Sequence, residues 1–174
     1  MNTGEEFSLG ESHAILRYLA DTRGVPDHWY PADPRKRAQV DMYLDQHHSF
    51  LRVGLSHSFL TLINPKVTGK PLAVAAFKQF QSVLKRTLTS LETRLPKNAY
   101  ICGPERTIAD LSAACELDQG KWAAHDLSGY PKVKDWLERM IDQDPVNFDL
   151  AAKLRKSAKI TNDWLTKQQG YPKL

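Results

Sequence analysis

Cysteine is almost absent from this chain: Cys102 and Cys115 are the only two among 174 residues. Two cannot build the disulfide framework of a small secreted domain, and no histidine pair stands at metal-like spacing to either, so both read as reduced core or loop residues and no metal is expected. Long apolar runs are missing too. None approaches the roughly 18 residues that span a bilayer. The start, MNTGEEFS, has neither the basic region nor the apolar segment of a secretory leader, so no membrane is expected and a cytoplasmic location is the default. An excess of one charge sign is small, with a formal net charge of +4 and most cations scattered among acids. Two basic clusters stand out, Arg35, Lys36 and Arg37, then Lys153, Arg155, Lys156 and Lys159. With no aromatic platform or zinc pattern beside them they read as solvated helix faces, and no nucleic-acid partner is expected. Period-two alternation is equally rare. Only Glu5–Leu9 could form a strand, and a lone terminal strand has no partner for its ladder. No internal repeat or low-complexity tract occurs.

What remains is helix, and the 41% hydrophobic content is enough to bury a substantial core at this length. From Ser12, the residues Ile15, Leu16, Tyr18 and Leu19 recur at helical spacing, and Gly24 supplies a stop. Asp33 followed by Pro34 gives an N-cap and a first-turn proline. Behind them Val40, Tyr43, Leu44, His47, Leu51, Leu55, Phe59 and Leu62 form one apolar stripe, which Asn64 and Pro65 end. A second long helix starts near Pro71, carries Phe77, Phe80, Leu84, Leu88, Leu91 and Leu95, and stops before Pro96. Two long amphipathic helices joined by a short Pro/Gly loop pack most simply as an antiparallel pair. TIADLSAACEL is apolar on nearly all sides and belongs in the middle of a bundle. Tyr130 and Pro131 open a further helix with Val133, Trp136, Leu137, Met140 and Ile141 inward. Asp144 and Pro145 open another toward Trp164, and the tail is polar. The fold class is all-α.

Three groups of residues carry candidate chemistry. Glu11 and Ser12 sit side by side at a helix N-terminus, where unpaired N–H groups and the dipole favour negative charge. The serine either caps its own helix or helps hold a bound carboxylate, and the acid could receive an ammonium group. Thr107 and Asp110, three apart, make a T-x-x-D capping box, a structural role in which loss of the Thr107 hydroxyl costs about 1 to 2 kcal/mol. His47 and His48 are adjacent, project about 100° apart on a helix and cannot both face one metal; His47, on the stripe, reads as a core histidine.

ESHAILRYLA, DHWYPADPRKRAQVDMYLDQHHSFLR and RTIADLSAACEL occur in an order and at spacings that resemble the cytosolic glutathione transferases, with wording most similar to the theta class. The resemblance implies a thioredoxin-like α/β domain that holds glutathione and an all-helical C-terminal domain that covers it. On that comparison residues 1–24 correspond to the end of the first domain, 25–32 to a linker in which Trp29 and Tyr30 are anchors, and 33–174 to the second. It implies that Ser12 and its backbone take the carboxylate of the γ-glutamyl end and that Glu11 takes its ammonium. It also implies that Arg52 faces the active-site cleft, where a cation could steady a thiolate or an anionic leaving group; a snorkelling surface arginine is the equal alternative.

The catalytic serine segment of the family has no counterpart here, and neither Ser8 nor Thr3 is marked as a substitute, so no catalytic residue is assigned. The expectation is a theta-like glutathione transferase acting on small hydrophobic electrophiles or halides, truncated, with glutathione as co-substrate, no cofactor, and a homodimer in the intact fold. The alternative is a non-catalytic helical module for protein assembly. A basic RNA-binding bundle rests on the two charge clusters alone.

Overall fold

The computed structural model describes residues 7–61, 68–70, 73–120 and 126–144. Helix α1, Ser12–Thr22, lies at one edge and ends where Gly24 adopts a φ of +63°. Helix α2 is Pro34–Ser49, α3 is Val74–Arg94, α4 is Ile108–Gly120 and α5 is Pro131–Gln143. A 3-10 turn, Asp27–Trp29, separates α1 from α2, and another, Leu95–Lys97, carries the chain off α3 through Pro96. Phe7–Gly10 form no strand, and the described residues contain one isolated bridge, Tyr100 to Gly103. The rest of the strand candidate, the loop at 62–67, the Pro71 start and everything from Pro145 onward, including the second basic cluster, lie outside the described residues.

Local chemistry explains most boundaries. Asp33 Oδ1 accepts from the N–H groups of Arg35 and Lys36 at 2.8 and 3.0 Å, closing the open end of α2 as an N-cap does. Helix α5 is capped from another helix. Its first N–H groups, on Lys132 and Val133, donate to the Glu92 carboxylate of α3 at 2.9 and 3.0 Å.

The stripe expected from Val40 to Leu62 is not one continuous helix. The α-helix breaks at Phe50 (φ −120°, ψ −76°), and Val53–His57 forms a π turn before helix resumes through Thr61. The spacing supplies the reason. From His47 the apolar positions step by four to Leu51, Leu55 and Phe59, and each step of four overshoots a 3.6-residue turn by about 40°. A wider turn absorbs that drift and keeps Leu51 and Leu55 buried.

Pairing runs in opposite directions along α3 and the π-turn segment that continues α2: Gly54 meets Leu84, while Ser58, further on, accepts from Gln81 at 3.0 Å. The two are therefore antiparallel. Helix α4 sits at the centre, burying Ile108, Ala109, Asp110, Ala113, Ala114, Glu116, Leu117 and Asp118. Around it pack Val40, Leu44, Leu51 and Leu55, then Leu84, Leu88 and Leu91, then Val133, Trp136, Leu137 and Met140. These form one contiguous core. Trp29 and Tyr30 pack against it, with Arg106 stacked on the Trp29 ring and Arg37 on the Tyr30 ring.

Candidate functional site

The mouth of α1 is open. Glu11 is its N-cap residue, not Ser12, and neither side chain caps the helix. The first ladder bond runs from the Ile15 N–H to the Glu11 carbonyl at 2.9 Å, so the N–H groups of Ser12, His13 and Ala14 have no partner within the helix. Glu11 and Ser12 are both exposed. The reading of Ser12 as a simple cap therefore fails, because Ser12 already has helical geometry and stands one position too far in. Glu11 has φ +62° and ψ 115°, the one non-glycine residue with positive φ among those described. Such backbone costs about 1–3 kcal/mol and persists where the surroundings hold it. Both residues, Glu11 and Ser12, are exposed at this end, and no side-chain cap closes it among the described residues.

Arg52 is held in an ion pair that neither reading of it anticipated. Its Nε lies 3.2 Å from Glu116 Oε2, and its side chain is 46% exposed. Glu116 comes from the centre of the bundle and is 3% exposed. Ser56, on the same π turn as the end of the Arg52 segment, donates its hydroxyl to Glu116 Oε1 at 2.6 Å, and His47 Nε2 stands 3.6 Å from Oε2. Burial pushes the Glu116 carboxyl up, but His47, Ser56 and the Arg52 guanidinium together outweigh it and hold the carboxyl down at about 2. A buried, ionised acid with three partners ties α2, the π turn and α4 together.

One turn before Glu116, Ser112 lies on the same face of α4. Its Oγ is 2.7 Å from Nε2 of His13, which is buried. The His13 ring also packs on His48 and His47, at 4.4 and 5.0 Å between centroids. Burial first, and then the two neighbouring histidines, lower the His13 pKa to about 4. Adjacent His47 and His48 are joined by a third ring from α1, yet no group of three potential ligands in the described residues has the geometry of a metal site.

The Thr107–Asp110 pair closes as a reciprocal box. Thr107 Oγ1 accepts from the Ala109 N–H at 3.2 Å, and the Thr107 N–H donates to Asp110 Oδ2 at 2.9 Å. Asp110 does more than its spacing signals. Its Oδ1 accepts from the Ile101 N–H at 2.9 Å and from Trp136 Nε1 at 3.0 Å, joining the preceding loop and α5 to the start of α4. Burial pushes this carboxyl up, against the pull of its donors.

The local sequence pattern pointed to Glu11 and Ser12, and the family resemblance to Arg52; Glu116, Ser56, His13 and Ser112 were missed. The signal for Glu116 is its place: an acid in a segment apolar on nearly all sides needs partners inside the bundle. Depressions of about 210 and 400 Å³ open between α2 and α3 and beneath the Asp27–Gln39 segment. Neither is lined by Glu11, Ser12 or Arg52.

What these helices define, among the described residues, is an all-helical bundle domain built around α4. Residues 53–144, more than half of the chain, match the family model described as glutathione S-transferase, C-terminal domain. The chain is 36% identical over 138 residues to glutathione S-transferase theta-1 of Gallus gallus, covering 78% of this chain and 53% of that protein. It is 39% identical over 150 residues to glutathione S-transferase T1 of Arabidopsis thaliana, covering 81% and 61%. A human theta-class glutathione transferase, in complex with the glutathione conjugate of 1-menaphthyl sulfate, superposes with a TM-score of 0.78 at 27% identity, covering 96% of this chain and 69% of that one. The chain belongs to the glutathione S-transferase family, and its likeness is to the theta class. It spans a little over half the length of these two relatives.

Proposed function

We propose that this chain supplies the γ-glutamyl clamp and the helical cover of a theta-like glutathione transferase, which conjugates glutathione to small hydrophobic electrophiles. The observation that carries the reading is the open mouth of α1, where Glu11 and the uncapped Ser12 meet at positive φ. A carboxylate suits the free N–H groups and the Ser12 hydroxyl, and an ammonium suits the Glu11 carboxylate. Both charges occur on one carbon in the γ-glutamyl end of glutathione. Residues 1–24 then act with a thioredoxin-like domain, residues 25–32 as the linker, and residues 33–174 as the helical domain.

The remaining chemistry is thiolate formation. A free thiol of pKa near 8.5 is mostly protonated at neutral pH, so a donor beside the sulfur must lower it. In this reading that donor belongs to the thioredoxin-like part of the fold. Glutathione is the co-substrate, and the working unit is a homodimer in the cytoplasm. A second reading, a non-catalytic assembly module, draws on the engagement of Arg52 by Glu116, which gives that arginine a structural reason to be present.

The test compares the chain alone with a fusion that places it behind a thioredoxin-like domain from a theta-class relative. The fusion is expected to be retained on immobilised glutathione and to conjugate an epoxide or chlorinated aromatic above the uncatalysed rate. The chain alone is expected to be retained weakly or not at all, without turnover. A folded fusion that neither binds nor turns over overturns the enzyme reading in favour of the assembly module.

A further inference from the structure

We infer that His13 is the positioning residue of the glutathione clamp, holding Glu11 and Ser12 in place through its hydrogen bond to Ser112 of α4. The inference rests on the proposed function and adds a residue to it.

From the helical bundle, the first turn of α1 receives little else, and Leu16, just beyond that turn, packs only in part against the core. His13 is its only buried residue, while Ile15, Tyr18 and Leu19 are substantially exposed. The other polar ties from α1 to the bundle come later, where Arg17 pairs with Asp41 and Asp45 of α2 at 2.7 and 2.9 Å and Asp21 with Arg37 at 3.4 Å. They anchor the later turns, the Asp41 contact partly buried and the Asp45 contact exposed. The first turn is pegged by one ring, 2.7 Å from Ser112 and stacked on His48.

The strain at Glu11 makes such a peg necessary. A non-glycine residue at φ +62° relaxes unless the residues beside it are held, and His13 is two positions away. Ser112 is a firm anchor because it lies one turn from Glu116, which Arg52 and Ser56 clamp into the centre of the bundle. With its pKa lowered to about 4, His13 is neutral at physiological pH, so the contact is an ordinary hydrogen bond between neutral partners. Loss of that bond leaves the chemistry at the sulfur untouched and lets the clamp wander, and displacement of a binding group by about 1 Å is enough to weaken recognition.

The test uses the fusion described above, with S-methylglutathione as the calorimetric probe and S-methyl-cysteinylglycine, which lacks the γ-glutamyl head, as the control. His13→Leu and Ser112→Ala are each expected to weaken S-methylglutathione by roughly five- to tenfold, the loss of about one hydrogen bond. Neither should alter the control probe. KM for glutathione should rise by the same factor while kcat stays nearly constant. His13→Gln, whose amide nitrogen can reach where Nε2 does, should bind nearly as the parent does. Should His13→Leu fail to fold, Ser112→Ala on the opposite helix carries the same test.

Two results overturn the inference: unchanged affinity in both His13→Leu and Ser112→Ala, or equal losses for the two probes. A Glu11→Ala, Ser12→Ala double variant separates the two levels of the argument. If it loses S-methylglutathione while His13→Leu does not, the positioning role alone falls. If it binds as the parent does, the clamp and its peg fall together.

Discussion

Glu116 illustrates how a single side chain acquires its character from what surrounds it. Placed alone in a helix that is buried on almost every side, a carboxylate would carry a desolvation penalty of several kcal/mol. Here His47 of α2 and Arg52 and Ser56 of the π-turn segment reach it, and its pKa falls to about 2 instead of rising. The sign of the linkage follows. The unfolded carboxyl titrates near 4.5, so between about 4.5 and 2 the unfolded chain binds more protons than the native one, and stability falls as the pH drops through that window. Glu116→Gln should lower stability by roughly 1.5–3 kcal/mol at neutral pH, the range for hydrogen bonds to a charged group. The gap between parent and variant should narrow as urea unfolding is repeated from pH 5 toward pH 2.5. A gap that stays constant over that range would show that the charge contributes nothing. Arg52 takes its meaning from the same contact: with its Nε committed to Glu116, any cationic service to a bound anion falls to the rest of its half-exposed fork.

At the scale of elements, the positions that face inward were legible in the sequence, and the breaks between them were less so. Val40, Tyr43, Leu44, His47, Leu51 and Leu55 are all buried, as the stripe requires. The π turn beneath them was readable only from the run of four-residue steps. The Thr107–Asp110 box was visible from spacing because both partners are local. The Glu92 cap on α5 and the Glu116 cluster were not, since their partners lie 40 and 64 residues away in sequence. Likewise, the Glu11–Ser12 pair could be placed at a helix mouth from sequence, but the positive φ and the His13 peg needed the packed structure.

Gly54 gives the π turn a testable role. A Cβ there would stand 2.8 Å from Cα and Cβ of Leu84 and 2.9 Å from its backbone nitrogen. These are mostly backbone atoms of α3, which cannot move without moving the helix. Overpacking of this kind costs about 1–3 kcal/mol, whereas the gain in helix propensity from glycine to alanine is at most about 1 kcal/mol. Gly54→Ala should therefore destabilise the bundle, seen as a lower denaturation midpoint at unchanged urea slope. A stabilised variant would mean that the π turn and α3 are free to separate.

For the whole molecule, the uneven distribution of apolar surface is the informative property. The core is closed around α4, yet α1 and its surroundings leave Phe7, Leu9, Ile15, Tyr18, Leu19 and Val25 between 37% and 65% exposed. Apolar side chains grouped on one helix edge mark a surface that another part of a protein covers. Under the proposed function that cover is the thioredoxin-like domain, which also brings the thiol of a bound glutathione beneath the helical bundle. The chain alone should consequently bind a hydrophobic dye and self-associate with rising concentration, and the fusion should do neither to the same degree. Ile15→Lys and Leu19→Lys, placed on the exposed side of α1, should suppress dye binding by the chain alone with little loss of its stability, because neither residue is buried in the core. In the fusion the same changes should loosen the junction and lower the thermal midpoint, since a lysine would then be forced against an apolar surface. Comparing the thermal midpoints of the two lysine variants, with and without the added domain, decides the matter: equal shifts in both contexts would mean that the edge of α1 is never covered.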